Sequence, residues 1–420
     1  MPTAIERRQH PVGQGFFHTA AITVGDASFN YVYDCGSENR KALMRAVDKY
    51  LAFLRRIPGG QIDILFVSHL DKDHVSGVDC LATNAALDTV VLPYLSVAER
   101  ILLLTAATGT GSVDGNYLHM IGDPVGWFSA RGVRTIIFFQ EGGENQHSDL
   151  PGGGPFPTDE PAKAGAIRVD KDVLAPFRQP SQPGQADVFV APGDIALPVT
   201  VYGQEMNWAF LPFVHPERER QEFFLEEFKK LVHEAFPIED GKVPQNMYGF
   251  LVSMMKRPEI VEKLAEAYLD IRADRNLTSL ALYSGPLQQV KQRYRFVNSR
   301  GYPNGTWGSH FDYSDGEIGW LGTGDANLLR QRRRQLYLQR YGAVMNRVVT
   351  IALPHHGSRH NFHSDILPPH ARFYTVGVGN NNSYKHPHNE VVDSIKATQQ
   401  ELIKATETPT TWFEERIEFL

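Results

Sequence analysis

Apolar and polar positions follow two rhythms along this chain. Over residues 40–54, Leu43, Ala46, Val47, Tyr50, Leu51 and Leu54 recur at helical spacing, predicting a helix with one buried stripe. Residues 62–67 read Ile-Asp-Ile-Leu-Phe-Val, a short and almost wholly apolar run that predicts a buried strand. Similar β-branched and aromatic runs at 89–92 and 134–139 predict further strands. Ser96 makes a good N-cap for a helix entering Val97-Ala98-Glu99-Arg100. Residues 12–36 predict two antiparallel strands, so strands and helices alternate and the chain reads as α/β.

Farther along, the rhythm breaks and resumes. Residues 141–196 are rich in Gly and Pro, as in Pro151-Gly152-Gly153-Gly154-Pro155, and predict a surface loop region rather than a domain linker. Residues 199–202 and 207–213 predict a strand pair. Residues 217–236 and 258–272 are strongly helical; Phe223, Phe224, Phe228, Leu231, Val232 and Phe236 form an apolar stripe of the kind that usually packs as core. We read 214–274 as a helical insertion between two sheet strands, within a single domain spanning 1–420. It would serve as a lid, an oligomer contact or a partner surface.

The chemistry concentrates in His69-Leu70-Asp71-Lys72-Asp73-His74, directly after the strand at 62–67. Four ligand-type side chains would stand on a strand-to-helix turn at the carboxyl edge of the sheet, where open α/β sheets bind ligands. Clustered His and Asp at this spacing can hold two cations with a nucleophilic water between them. A polar loop capping a helix is the plain alternative. Further ligand-type residues downstream argue against it.

The spacing resembles the His-x-His-x-Asp-His signature of the metallo-β-lactamase superfamily, with Asp71 in place of the second histidine. In that form it is similar to the soluble hydrolase domain of ComEC-type DNA-uptake proteins and their stand-alone relatives. Val12-Gly13-Gln14-Gly15 resembles the family's opening turn and Asp34-Cys35-Gly36 its first-strand motif. Asn276-Leu277-Thr278-Ser279-Leu280, Thr323-Gly324-Asp325, Leu353-Pro354-His355-His356-Gly357-Ser358 and Asn381-Asn382-Ser383-Tyr384-Lys385-His386-Pro387-His388 follow in family order. The resemblance ends near residue 390 and skips the long middle section. It implies a four-layer αββα sandwich carrying the helical insertion.

It also implies roles. His69 and Asp71 would face a first divalent cation, Asp73 and His74 a second, with Asp325 bridging. One of His355 and His356 would close the second site. His355 is assigned as that ligand and His356, with Asp73 and Asp325, to catalysis, although spacing alone leaves the two histidines interchangeable. Asp34 would orient a ligand from behind, or simply shape its turn. Ser358, Asn381, His386 and His388 would contact substrate, although a Ser after His-Gly is as often a cap. A further first-site histidine common in the superfamily has no persuasive counterpart; His119 and His147 qualify by order only. Asp71 shifts the first site toward oxygen ligation, which favours Mn²⁺ while still accepting Zn²⁺.

Composition narrows the partners. A formal net charge of −6, with 42% hydrophobic and 21% charged residues, is ordinary for a globular chain and excludes a surface coated in basic groups. No run is long enough to cross a bilayer, and Met1-Pro2-Thr3-Ala4-Ile5 begins no signal region. With only Cys35 and Cys80, the expectation is a cytoplasmic protein with two reduced thiols and no membrane association. Locally, Lys291, Arg293, Arg295 and Arg300 precede Asp325, and Arg330, Arg332, Arg333 and Arg334 follow it. Tyr294, Phe296 and Tyr302 interleave with the first group. Such a band would track a phosphodiester backbone, with Arg332 and Arg333 contacting substrate; an ordinary solvated helix face is the rival account.

The leading expectation is therefore a two-metal phosphodiesterase acting on DNA. Stand-alone relatives occur in bacterial multi-protein systems, including antiviral ones, which would make the insertion a docking point for a partner protein or a second copy. A small-molecule hydrolase of an ester, thioester, lactone or cyclic nucleotide would use the same metals. A non-catalytic metal-containing scaffold is the third reading.

Overall fold

The computed structural model describes residues 4–420 except 58, 96–98, 101–102, 104–113, 143–166, 303–304, 314–315 and, apart from 249, 253, 257 and 259, 216–277. The chain opens with β1 (Ala4–Gln9), β2 (Phe17–Val24), β3 (Ala27–Cys35) and α1 (Arg40–Leu54). Next come β4 (Ile62–Phe66), the one-turn α2 (Lys72–Val75), α3 (Val78–Asn84) and β5 (Leu87–Pro93). Helices α4 (Gly115–Gly122) and α5 (Pro124–Ser129) lead to β6 (Thr135–Phe139), β7 (Ile167–Val169), β8 (Arg178–Gln179) and β9 (Asp187–Ala191). Strands β10 (Leu197–Val201), β11 (Gln204–Val214), β12 (Leu280–Gly285), β13 (Tyr294–Tyr302), β14 (Gly305–Tyr313) and β15 (Gly319–Gly322) follow. The chain closes with α6 (Gln331–Tyr341), β16 (Val348–Ala352), β17 (Phe373–Gly377), α7 (Asn389–Ala397), β18 (Glu401–Ala405) and β19 (Phe413–Phe419).

Two large sheets result. One has 11 strands in the order β14-β13-β19-β1-β2-β3-β4-β5-β6-β9-β8, the other 8 in the order β18-β17-β16-β15-β12-β11-β10-β7. The strands that matter for chemistry are parallel: β3, β4, β5, β6 and β9 in the first, β15, β16, β17 and β18 in the second. Parallel strands deliver all their carboxyl-end loops to one edge, so loops far apart in sequence meet there.

The apolar runs explain the stacking. Leu65 and Val67 join a cluster with Leu43, Val47 and Leu51 of α1, while Ile64 and Phe66 join a second cluster with Phe210 and Leu282 of the other sheet. Burial on both faces is why residues 62–67 lack alternation. A third cluster joins Leu211 and Ile351 to Tyr337 and Tyr341 of α6 and to Val391 and Ile395 of α7.

Several expectations need revision. The Gly/Pro-rich region 141–196 is not loop throughout, since it contains β7, β8 and β9, and β9 extends the parallel part of the first sheet. Gly and Pro mark its turns, and the short Asp187–Ala191 run between them found a partner in β6. Strand β1 was hidden by its charges: Arg7 is buried against Glu415, while Arg8 faces outward. β19 lies in the tail that had no family counterpart, yet it pairs with both β1 and β13. The expected helical insertion at 214–274 lies, beyond β11, almost wholly outside the described residues. It connects β11 and β12, which pair antiparallel.

Candidate metal centre

The ligand turn leaves β4 and is pinned on both sides. Val67 N–H donates to Val91 O at 2.9 Å, and Ser68 O accepts from Leu280 N–H of the second sheet at 2.7 Å. Asp71 starts α2 with an extended backbone, and its carbonyl accepts from His74 and Val75. Its side chain makes no capping bond. The turn is seated in glycine. A Cβ on Gly36 would fall 2.4 Å from His74 N, and one on Gly15 2.6 Å from Asp73 O. Those close approaches account for Gly15 and Gly36 in the two glycine motifs.

Behind the turn, Asp34 is fully buried in the left-handed region at φ 56°. Its carboxylate accepts from Ser68 N–H and Ser68 Oγ, each at 2.6 Å, and lies 2.8 Å from His74 Nδ1. Ser68 Oγ in turn lies 2.9 Å from His69 Nδ1. With its proton given to Asp34, Ser68 Oγ accepts from His69 Nδ1–H. One carboxylate thus fixes both imidazoles, His74 directly and His69 through Ser68, and turns each Nε2 forward. Ser68 was not singled out in the sequence. Its one signal is a hydroxyl ending an apolar strand.

In front, both forward nitrogens are buried and without a hydrogen-bond partner. Asp325 stands between them, Oδ2 3.7 Å from His69 Nε2 and Oδ1 3.5 Å from His74 Nε2. Its position follows from β15: Gly324 turns at φ 54°, and Asp325 N–H donates to Ser279 Oγ at 3.0 Å. Asp71 Oδ2 lies 4.0 Å from His69 Nε2, and Asp73 Oδ2 lies 3.7 Å from His74 Nε2. Among the described residues, three groups have ligand atoms within 4.8 Å of one another: His69-His74-Asp325, Asp73-His74-His356 and His69-Asp71-Asp73. Orphaned buried imidazole nitrogens facing three carboxylates are a donor set that fits divalent cations.

The tandem histidines separate in the structure. Both take left-handed backbone, at φ 46° and 56°, so consecutive side chains diverge. His356 is buried, with Nδ1 2.8 Å from Gly377 O and Nε2 3.3 Å from Asp73 Oδ2. His355 is 31% exposed and has Nδ1 3.9 Å from Asp325 Oδ2. His356 thus joins Asp73 and His74 in a group that could hold a metal ion, and His355 stands at the solvent edge. Spacing could not decide this because adjacent residues project apart according to local φ.

Electrostatics reinforces the grouping. Burial, together with neighbouring His74, lowers the His69 pKa to about 4. At His74 burial also opposes charge, but Asp73, Asp325 and Asp34 outweigh it and raise the pKa to about 10. Burial works against the Asp73 and Asp325 carboxylates too, yet surrounding histidines hold both well below the usual carboxylate range. The pocket is built to keep carboxylates ionised.

The remaining assignments divide. His386 packs near the site, its ring centroid 5.6 Å from His355 and 6.3 Å from His356, and His388 lies 5.0 Å from His386. Asn382, rather than the exposed Asn381, organises that loop by donating to Gly379 O and His386 O and accepting from His386 N–H. Ser358 is buried and its Oγ accepts from His360 N–H, so it serves its own turn. His119 joins none of the three ligand groups, and His147 lies outside the described residues.

The basic residues do not form one continuous exposed band, although Lys291, Arg293 and Arg295 are exposed. Arg332 is exposed, but Arg333 is 5% exposed and close enough to His215 to depress its imidazole further. Arg334 is tied to Asp365 and Leu329 O, and Arg340 reaches Pro212 O. Tyr294 and Phe296 are buried, so they have no face for a base, and Arg300 pairs with Glu401. Their strand, β13, is separated from β3 by β19, β1 and β2.

Among comparisons with known proteins, residues 15–91 match the family model described as Metallo-beta-lactamase superfamily. The matched span runs from the Gly15 turn into β5 and includes the whole ligand turn. No curated protein matches the chain. The match and the ligand groups support that superfamily and a metal-dependent hydrolase. No helix among the described residues is long and apolar enough to cross a membrane.

Proposed function

We propose that the protein is a two-cation hydrolase of phosphodiesters, with DNA as its substrate. The observation that carries the hydrolase reading is Asp325, whose two oxygens face two buried, unpartnered imidazole nitrogens. His69 and Asp71 would hold one cation, Asp73, His74 and His356 the other, and Asp325 would bridge them. Mn²⁺ is the favoured ion, given the oxygen-rich donor set, and Zn²⁺ the alternative. Such a pair supplies an activated water and neutralises charge developing on the electrophile. In the same reading, the two sheets and their flanking helices form an αββα sandwich.

The protein's own groups set the rest. The cavity lined by Tyr33, His74, Asp325 and His356 is only about 10 Å³, room for one water at most, so substrate must come from the outer side. There His355 and His386 meet it. Tyr384 is 50% exposed and stacks against His386 at 5.7 Å, with exposed Lys385 beside it. An aromatic face next to a cation, at the mouth of a carboxylate-rich site, suits a nucleobase and its phosphate. This loop replaces the arginine band as the reason to favour nucleic acid.

The test is cleavage of labelled single- and double-stranded DNA by metal-stripped protein with Mn²⁺ restored, beside Asp73→Ala. Cleavage that depends on Mn²⁺ and on Asp73 supports the reading. Turnover of small esters or cyclic nucleotides without DNA cleavage would move it to the small-molecule branch. Tight metal with no hydrolysis would leave a scaffold. A partner protein or second copy docking on the insertion, in a cytoplasmic antiviral assembly, is the accompanying proposal; co-purification with light scattering tests it.

A further inference from the structure

Another hollow lies apart from the metal centre. A cleft of about 90 Å³ opens where α1 passes β1 and β2, with walls of Ala20, Ala21, Tyr50 and Phe53. Its rim carries Arg8 and Lys49. A second, smaller hollow shares Arg8, His10 and Lys49 with it and adds Arg45 and Trp412, so the two form one groove.

The charges in this groove do not cancel. Glu414 is taken by Arg8 at 3.3 Å, and Glu6 by Arg416 at 2.8 Å, leaving neither carboxylate to neutralise the rest. Arg8 also lies over the Trp412 ring at 4.8 Å, which holds its guanidinium in place. Arg45 donates to a backbone carbonyl, Glu407 O, which leaves its charge unneutralised there. Lys49 is exposed and has no ion-pair partner among the described residues. His10 is buried at the groove floor, and its pKa is lowered mainly by burial and further by Arg8, His18 and Lys49. A concave apolar surface bordered by two cations without a carboxylate partner among the described residues, Arg45 and Lys49, recognises an apolar body bearing a negative group.

We propose that this groove binds a small organic anion, a single aromatic ring carrying a carboxylate, with the ring between Tyr50 and Ala20 and the carboxylate at Lys49 and Arg45, one helical turn apart on α1. The volume sets the size limit. It is less than the roughly 150 Å³ of an engineered cavity that takes benzene, but the groove is open, so the charged group projects to solvent. This site is independent of the metal chemistry.

The probe is phenylacetate, titrated into the purified full chain by ligand-observed NMR, with phenylacetamide as the neutral comparison. Phenylacetate is expected to bind with a millimolar Kd and the amide about fivefold more weakly, the size of one partly exposed ion pair. Lys49→Gln, an exposed change that leaves the core alone, should remove that preference, while Phe53→Ala should weaken both ligands. Chelator and Asp73→Ala should leave phenylacetate binding unchanged, separating this site from a carboxylate on the metals. Equal affinity for acid and amide, no effect of Lys49→Gln, loss of binding with chelator, or no Kd tighter than about 10 mM would overturn the proposal.

Discussion

The ligand turn and the arginine-rich segments both looked functional in the sequence, and only one gathers at the site. His69 to His74 sit on a single tight turn whose backbone is fixed by Gly15, Gly36 and Asp34, so sequence proximity becomes spatial proximity. The arginines spread over β13 and α6, where strand and helix geometry sends successive side chains in different directions. Arg333 goes into the core beside His215 and Arg332 goes to solvent. Clustering is informative when a turn enforces it. Along an extended strand or a helix it says little.

Substitutions can break that contrast. The largest effect is expected for Asp325→Asn, which removes the charge facing both imidazoles: hydrolysis should fall by about three orders of magnitude or more, with metal content measured alongside. If metal is retained and activity is unchanged, Asp325 does not bridge. Asp34→Ala, behind the two imidazoles, should cost about 10- to 100-fold in metal affinity because both histidines lose their orientation. Ser68→Ala should give a smaller loss, since only the His69 arm is cut. Equal losses from the two variants would deny the relay.

The arginines give the opposite pattern. Arg333→Ala should lower stability by about 2 kcal/mol, measured by urea denaturation, with little change in activity per folded molecule. Arg332→Ala should change neither. Weakened DNA binding with unchanged stability for Arg333→Ala would restore the arginine band.

The smallest effect is a pH slope. Burial lowers His215 to about 3 and also depresses His10 and His18, against an unfolded value near 6.5. Between those values the unfolded chain binds a proton that the native chain refuses. Stability is therefore complete above about pH 6.5 and declines as pH falls, by up to about 1.4 kcal/mol per pH unit for each histidine. His215→Phe should flatten the slope measured from pH 6.5 to 5. An unchanged slope would mean that His215 does not contribute.

The local elements could be read early for a physical reason. Residues 40–54 and 62–67 declare themselves because burial on one helix stripe, or on both strand faces, leaves a periodic record in the chain. Strands β1 and β19 leave none: Arg7 and Glu415 form an ion pair inside, so two charged residues stand where apolar ones are expected. Likewise Ser68 and Ser279 act through hydroxyls whose partners, Asp34 and Asp325, lie distant in sequence.

The sequence by itself determined the identity and spacing of the ligand turn, because a six-residue turn cannot separate its own side chains far. It also determined the order in which Asp325, His355 and His356 appear. Only the tertiary structure decided that parallel strands from two sheets bring those loops to one edge, that His356 turns inward while His355 faces out, and that Arg333 is core. Each of those outcomes depends on backbone direction and on partners tens or hundreds of residues away, and neither is written in the residue types.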